Sequence, residues 1–213
     1  MIREMRAAIF DLDGVIVDTA KYHYLAWKRL ANEYGFDFTE ADNERLKGVS
    51  RVRSLEILLE IGRLRVDEIT KDKMAAQKNE WYLDYIQRMD SSEILPGAAE
   101  YLGRLHSNGV RTGLGSASKN APLILDRLGI SSLFDAVVDG NKVQRTKPAP
   151  DVFLRAAAEL EISPDCCVVF EDAEAGIQAA LRAGMGAVGV GEPANLKEAD
   201  MVIGGLFQLM IVG

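Results

Sequence analysis

Residues Ala7-Ala8-Ile9-Phe10 form a continuous apolar run that stops abruptly at Asp11-Leu12-Asp13-Gly14. This is the pattern of a buried parallel strand emptying into a polar turn, a place where chemistry can sit. From Asp18 to about Met89 the apolar period becomes helical. Tyr22, Ala26, Leu30 and Tyr34 recur every four residues, Leu55, Leu58 and Leu59 do likewise, and Trp81, Tyr82, Tyr85 and Ile86 close the stretch. After Pro96-Gly97 short β-type runs alternate with helical segments, and strands are expected at Val110 to Gly115, Ala136 to Val138, Cys166 to Phe170, Ala187 to Val190 and Met201 to Ile203. Such alternation predicts an α/β fold with a doubly wound, Rossmann-like parallel sheet.

The first strand is separated from the rest of its sheet by roughly 75 mostly helical residues, too many for an ordinary crossover and enough for an inserted domain. The expected organisation is therefore a core of residues 1–14 and 96–213 interrupted by a helical cap at 15–95. The linkers Gly14 to Asp18 and Met89 to Leu95 would form a paired hinge.

The 213 residues suit one such domain with an insertion, and 48% hydrophobic with 27% charged residues is a globular composition. Twenty-five Lys and Arg against 32 Asp and Glu give a net charge of −7, which repels a nucleic-acid backbone. Any bound phosphate must be held locally. Cys166 and Cys167 are adjacent in an apolar run, unlike the spaced staples of secreted domains, and read as buried reduced thiols. No apolar stretch approaches the roughly 20 residues that cross a bilayer, and no basic region precedes a long apolar segment at the start. The expectation is a cytoplasmic monomer without nucleic-acid or membrane partners.

Ligands of doubly wound sheets bind beyond the carboxyl ends of the strands. Four such ends carry polar residues: Asp11 and Asp13 after the first strand, Ser116-Ala117-Ser118 after the second, Lys147 in the loop past the third, and Glu171-Asp172 after the fourth. Carboxylates converging there repel by about 4 kcal/mol per pair at 4 Å and an effective dielectric of 20, unless a cation intervenes. Hard oxygen donors favour Mg²⁺. An Asp11 carboxylate flanked by the metal and Lys147 can attack phosphorus in line, because both cations offset the repulsion between nucleophile and dianion. Ser116 and neighbouring backbone N–H groups, Ala117 among them, can donate to the equatorial oxygens of the transferring group. Asp13 is free to exchange a proton with the entering or leaving oxygen.

Asp11-Leu12-Asp13-Gly14-Val15, Ser116, Lys147-Pro148 and Glu171-Asp172 resemble, in order and over essentially the whole chain, the four motifs of the haloacid dehalogenase-like phosphotransferases. The resemblance implies an aspartyl-phosphate enzyme with Mg²⁺ held by Asp11, Glu171, Asp172 and the backbone carbonyl of Asp13. That carbonyl ligand comes from the resemblance alone.

An aspartyl phosphate is resolved by water in a phosphatase and by a substrate hydroxyl in a mutase. A mutase must exclude water and orient its sugar, so the cap decides. The loop Leu46-Lys47-Gly48-Val49-Ser50-Arg51 places two cations around a glycine, suited to a second phosphate. His23 and Trp27 lie four apart on one helical face, Lys78-Asn79 adds donors, and Lys119-Asn120 follows the Ser116 loop. With Thr19-Ala20-Lys21-Tyr22-His23, this set resembles the sugar-phosphate mutase branch of the family. That branch interconverts β-glucose 1-phosphate and glucose 6-phosphate through β-glucose 1,6-bisphosphate. The resemblance implies Thr19 at the hinge, His23, Lys47 and Lys78 coupling cap closure to Asp13, and Arg51 on the distal phosphate. It also implies Trp27, Leu46, Gly48, Ser116, Ala117, Ser118, Lys119 and Asn120 around the substrate.

Taken singly, these residues have plainer readings. Glu171-Asp172 suit the start of a helix at Ala173 to Arg182, Lys147 a solvated lysine, Lys47 with Arg51 an exposed cationic stretch, and Trp27 core packing. The ordered set outweighs them. A sugar-phosphate phosphatase on the same scaffold is the alternative. A receiver-type signalling domain ranks lower, since it gives no reason for the cap or for Asp13.

Overall fold

The computed structural model describes residues 4–46 and 49–211. Six parallel strands, β1 (Ala7–Phe10), β2 (Arg111–Gly115), β3 (Ala136–Val138), β4 (Cys167–Glu171), β5 (Gly186–Val190) and β6 (Met201–Ile203), form one sheet in the order β3-β2-β1-β4-β5-β6. β1 is central: Ile9 is in register with Gly113 of β2 and Val169 of β4. All four β1 residues are fully buried, which is why this run does not alternate with polar positions.

The pleat sends successive β1 side chains to opposite faces. Ala7 and Ile9 join a core with Phe153, Ala156 and Leu160 from around α7 (Asp151–Glu159) and Ile177 and Ala180 from α8 (Glu174–Arg182). Phe10 belongs to an aromatic group, stacked on Phe170 at 4.8 Å and edge-on to Tyr101 at 6.2 Å and Phe134 at 6.4 Å. Tyr101 lies on α5 (Ala98–Ser107), and α6 (Ala121–Leu128) follows β2. The chain closes with α9 (Gln208–Ile211), a single turn.

β2 begins at Arg111 rather than Val110 and β5 at Gly186 rather than Ala187. Two further boundaries differ from the sequence reading for local reasons. Ser163-Pro164 starts a 3-10 turn over Pro164–Cys166, so β4 begins at Cys167 and extends to include Glu171. Cys166 is half-buried and Cys167 buried, both as free thiols. α8 starts at Glu174 with Ala173 as its N-cap.

The chain divides into two compact units, one running to Asp18 and resuming at Asp90, the other Thr19–Met89. The divisions fall inside the expected 15–95 because Val15, Ile16 and Val17 are buried in the first unit. There Val17 bridges Ile94, and the Leu95 N–H donates to the Ile16 carbonyl at 2.9 Å.

The second unit is helical: α1 (Ala20–Glu33), α2 (Glu40–Glu44), α3 (Arg51–Gly62) and α4 (Glu68–Ile86). Its core is Trp27, Leu30, Leu58, Met74, Tyr82 and Ile86. Side-chain caps start three of these helices, Thr39 in a reciprocal box with Asp42, Ser50 accepting from Arg53 N–H, and Asp67 from Thr70 N–H. Tyr34, expected on the apolar stripe, is instead the exposed C-cap of α1, where the chain turns through Gly35. No helix among the described residues is long and apolar enough to cross a membrane.

Candidate active site

The strand order reverses direction across β1 and β4, and in such sheets the crevice beyond that reversal receives ligands. Asp11 immediately follows β1, anchored by its N–H to the Phe170 carbonyl at 2.9 Å, and Glu171 ends the neighbouring β4. Both are buried, at 6% and 1% exposure. Lys147, 5% exposed, donates from Nζ to Asp11 Oδ1 and to Glu171 Oε2, the latter at 2.7 Å. The ammonium also lies 4.8 Å from the centre of the Phe153 ring. The turn carrying Lys147 is tied at both sides. Arg145 pairs with Asp151 at 3.0 Å, and Arg182 of α8 donates to the Pro148 carbonyl at 2.9 Å.

One oxygen from each of Asp11, Glu171 and Asp172 lies within 4.8 Å of the others. Two glycines make room for this. Gly14, at φ +78°, takes a left-handed turn that L side chains rarely adopt, and a Cβ there would lie 2.2 Å from Asp172 Oδ2. At Gly176 on α8 a Cβ would lie 2.0 Å from Glu171 Cδ. Three carboxylates facing one lysine leave negative charge uncompensated, and an all-oxygen donor set of this charge fits Mg²⁺. The charge imbalance is visible in Glu171. Burial, then Asp11, pushes its pKa up to about 8, against the pull of Lys147 and with a further push from Asp172. For Lys147 burial works downward, but Asp11 and Glu171 prevail and hold it above the ordinary lysine value. The N–H of Asp13 donates to Asp11 Oδ2 at 3.0 Å, so the turn itself orients the first carboxylate.

Ser116 is buried, its N–H bound to the Val138 carbonyl at 3.0 Å. Its hydroxyl accepts from Ser118 N–H at 3.1 Å, and the Ser118 hydroxyl accepts from Asn120 N–H at 3.2 Å. These side-chain turns shape the loop from Ser116 to Asn120, while the N–H of Ala117 has no hydrogen-bond partner among the described residues. Lys119 is exposed, and Asn120 is the N-cap of α6.

In the helical unit, Lys78 is 2% exposed, with Nζ 2.8 Å from His23 Nδ1 and 4.6 Å from both the Trp27 and Tyr82 ring centres. An ammonium only donates, so Nδ1 accepts and the His23 proton resides on Nε2. Burial, then the charges of Lys78 and Arg51, holds His23 well below the ordinary imidazole pKa. His23 also stacks on Tyr82 at 4.1 Å. Trp27 is 2% exposed and serves this packing, and Leu46 and Thr19 are buried too. Arg51 opens α3, half-buried, its pKa lowered by burial and raised in part by Tyr82. Lys47 and Gly48 lie outside the described residues. Asp139, Gly140 and Asn141, which pack against the Ser116 loop, were missed in the sequence, although Asp-Gly-Asn after a strand is a turn signal.

A family model described as haloacid dehalogenase-like hydrolase matches residues 5–184. The chain belongs to this family, and it is an enzyme of the phosphotransferase and isomerase kind found there. It is 46% identical to the β-phosphoglucomutase of Bacillus subtilis over 93% of this chain and 89% of that protein. It superposes on the crystal structure of a β-phosphoglucomutase from Clostridium difficile with a TM-score of 0.92 and 46% identity, covering 96% of this chain and 93% of the other. The fructose-1-phosphate phosphatase YqaB of Escherichia coli is 36% identical over 89% of this chain and 98% of its own length. Membership of this family sets aside the receiver-type alternative.

Proposed function

We propose that the chain is a β-phosphoglucomutase, interconverting β-glucose 1-phosphate and glucose 6-phosphate through β-glucose 1,6-bisphosphate. The supporting observation is the Asp11–Lys147–Glu171 arrangement at adjacent strand ends, in a chain 46% identical to a β-phosphoglucomutase. Asp11 Oδ forms the bond to phosphorus as the phosphorus–oxygen bond to the sugar breaks, and Asp13 gives its proton to the departing sugar oxygen. In the return half-reaction Asp13 takes the proton of the attacking sugar hydroxyl and the Asp11–phosphorus bond breaks. Lys147 keeps the nucleophile in place and offsets its charge against the incoming dianion. Ser116 and the Ala117 N–H donate to phosphoryl oxygens, with Ser118, Lys119 and Asn120 alongside. Asp11, Glu171, Asp172 and the Asp13 carbonyl would hold Mg²⁺, which would supply charge neutralisation for the phosphoryl group.

The helical unit serves in this reading as a cap hinged at Thr19. Arg51 with Lys47 and Gly48 takes the distal phosphate. Leu46 bounds the sugar side with Trp27 behind it in the packing around Lys78, and the neutral His23 and buried Lys78 hold the cap in the state that couples to Asp13. A net charge of −7 and two free thiols support a cytoplasmic enzyme acting on small sugar phosphates, not on nucleic acid, and working as a monomer.

The test is incubation with Mg²⁺, β-glucose 1-phosphate and a trace of the bisphosphate, followed by phosphorus resonance. Glucose 6-phosphate accumulates, and Asp11→Asn abolishes its formation. Steady release of inorganic phosphate without glucose 6-phosphate overturns the proposal in favour of the phosphatase reading, which the 36% identical E. coli enzyme represents.

A further inference from the structure

We infer that Asp139, Gly140 and Asn141 form a template that sets the phosphoryl-binding loop from Ser116 to Lys119, with Asn141 as a positioning residue. The inference rests on the phosphoryl-transfer reading above. Asp139 directly follows β3, is 6% exposed, and stands apart from the Asp11–Glu171–Asp172 group. Its Oδ1 accepts from the Asn141 backbone N–H at 2.9 Å and its Oδ2 from Asn141 Nδ2 at 3.0 Å. The same Nδ2 lies 3.1 Å from the Lys119 carbonyl. A carboxylate and a carbonyl can only accept, so the amide nitrogen faces both and uses both of its hydrogens.

Gly140 completes the contact: its N–H donates to the Ser118 carbonyl at 3.2 Å, and a Cβ on it would lie 2.3 Å from the Ala117 carbonyl oxygen. The carbonyl groups of Ser118 and Lys119 are thus fixed to residues 140 and 141; their peptides carry the N–H groups of Lys119 and of Asn120, the latter donating to the Ser118 hydroxyl at 3.2 Å, and Gly140 packs directly on the Ala117 carbonyl. Fixing one side of these peptides fixes where the other side aims. Phosphoryl-transfer donors lose about 10²-fold for a misplacement on the order of 1 Å. The buried Asp139 charge orients an exposed asparagine, and that asparagine holds the loop.

Four variants test this: Asn141→Ala, Asn141→Asp, Gly140→Ala and the double exchange Asp139→Asn with Asn141→Asp. For each, the Kd of inorganic phosphate in Mg²⁺ is measured by phosphorus resonance, the Kd of Mg²⁺ by calorimetry, and Tm, kcat and KM alongside. Asn141→Ala raises the phosphate Kd about fivefold, the loss of a typical hydrogen bond. Asn141→Asp, equal in shape, raises it further because its carboxylate opposes Asp139 and the Lys119 carbonyl. Gly140→Ala, which displaces the Ala117 peptide, also weakens phosphate. Mg²⁺ affinity is unchanged throughout. The double exchange restores a donor–acceptor pair between 139 and 141 and recovers Tm, but not phosphate affinity, since nothing then donates to the Lys119 carbonyl.

Phosphate affinity like wild type in the Asn141 variants, or recovered together with Tm in the double exchange, overturns the inference. If wild type converts no β-glucose 1-phosphate while the variants still bind phosphate more weakly, the mutase reading fails and the template stands. If wild type turns over and the variants bind phosphate normally, the template alone fails.

Discussion

Lys147 donates to Asp11 and Glu171 together, joining the nucleophile expected after β1 to the carboxylate that ends β4. One buried ammonium therefore stabilises two buried carboxylates. Removing one partner of a buried ion pair leaves its charge uncompensated, at a cost of about 3–5 kcal/mol. Lys147→Met should lower the denaturation midpoint accordingly and abolish phosphoryl transfer. Added Mg²⁺ should restore stability but not turnover, because a metal replaces the missing charge without replacing the hydrogen bonds that orient Asp11. Chemical denaturation with and without Mg²⁺ checks this. A variant as stable as wild type without metal would contradict it.

The raised pKa of Glu171 makes a signed statement about stability. Its folded value lies above the unfolded one, so between the usual carboxylate range and about 8 the folded state binds more protons than the unfolded state. This contribution to stability is full below the unfolded pKa and is lost as pH rises through the folded one. Stability of the metal-free protein should therefore fall from pH 5 to pH 8. Metal binding displaces that proton and should flatten or reverse the slope. Denaturation midpoints at several pH values, in chelator and in Mg²⁺, provide the measurement. Parallel slopes in the two conditions would show that Glu171 is not linked to the metal.

Gly176 tests the space in which Glu171 stands. A Cβ there would lie 2.0 Å from Glu171 Cδ, so Gly176→Ala must turn the carboxylate aside. Overpacking of this sort costs about 1–3 kcal/mol, offset in part because alanine favours the helix. The sharper effect should be on metal affinity, a loss of about 10- to 100-fold, as for other changes beside a metal ligand. Titration calorimetry with Mg²⁺ reads it directly, and an unchanged affinity would remove Glu171 from the ligand set.

In the helical unit, His23 should remain neutral with its proton on Nε2. Burial is the larger cause and the charges of Lys78 and Arg51 the smaller. Nitrogen-15 resonances of His23 should show an unprotonated Nδ1 and no protonation as pH falls through the ordinary imidazole range. Lys78→Met should raise the pKa while leaving it below 6.5, because burial persists. The sign for stability is opposite to that of Glu171: the contribution is present above the unfolded pKa and is lost as pH falls through the folded one. An Nδ1–H signal in wild type would refute the Lys78 hydrogen bond.

Much of this molecule is legible in the order of its amino acids. The apolar run before Asp11 marks the central strand, and the helical period after Asp18 marks the insertion, because both patterns arise from local burial and local geometry. The end of β4 is less plain. A turn set by Ser163-Pro164 moves that strand by one residue and places Glu171 within it, which an apolar run ending at Phe170 does not reveal.

The sequence by itself determined the sheet, its strand-end acids and the ordered motifs of the family, since each is written in neighbouring residues. Only the tertiary structure decided that Lys147 reaches both Asp11 and Glu171, and that Gly176 clears the space Glu171 occupies. Only it shows that Lys78 is enclosed with Trp27, Tyr82 and His23 rather than exposed as lysines commonly are. The physical reason is range. Propensity and periodicity act within a few residues, whereas the electrostatics of a buried charge depend on partners 136 positions away along the chain.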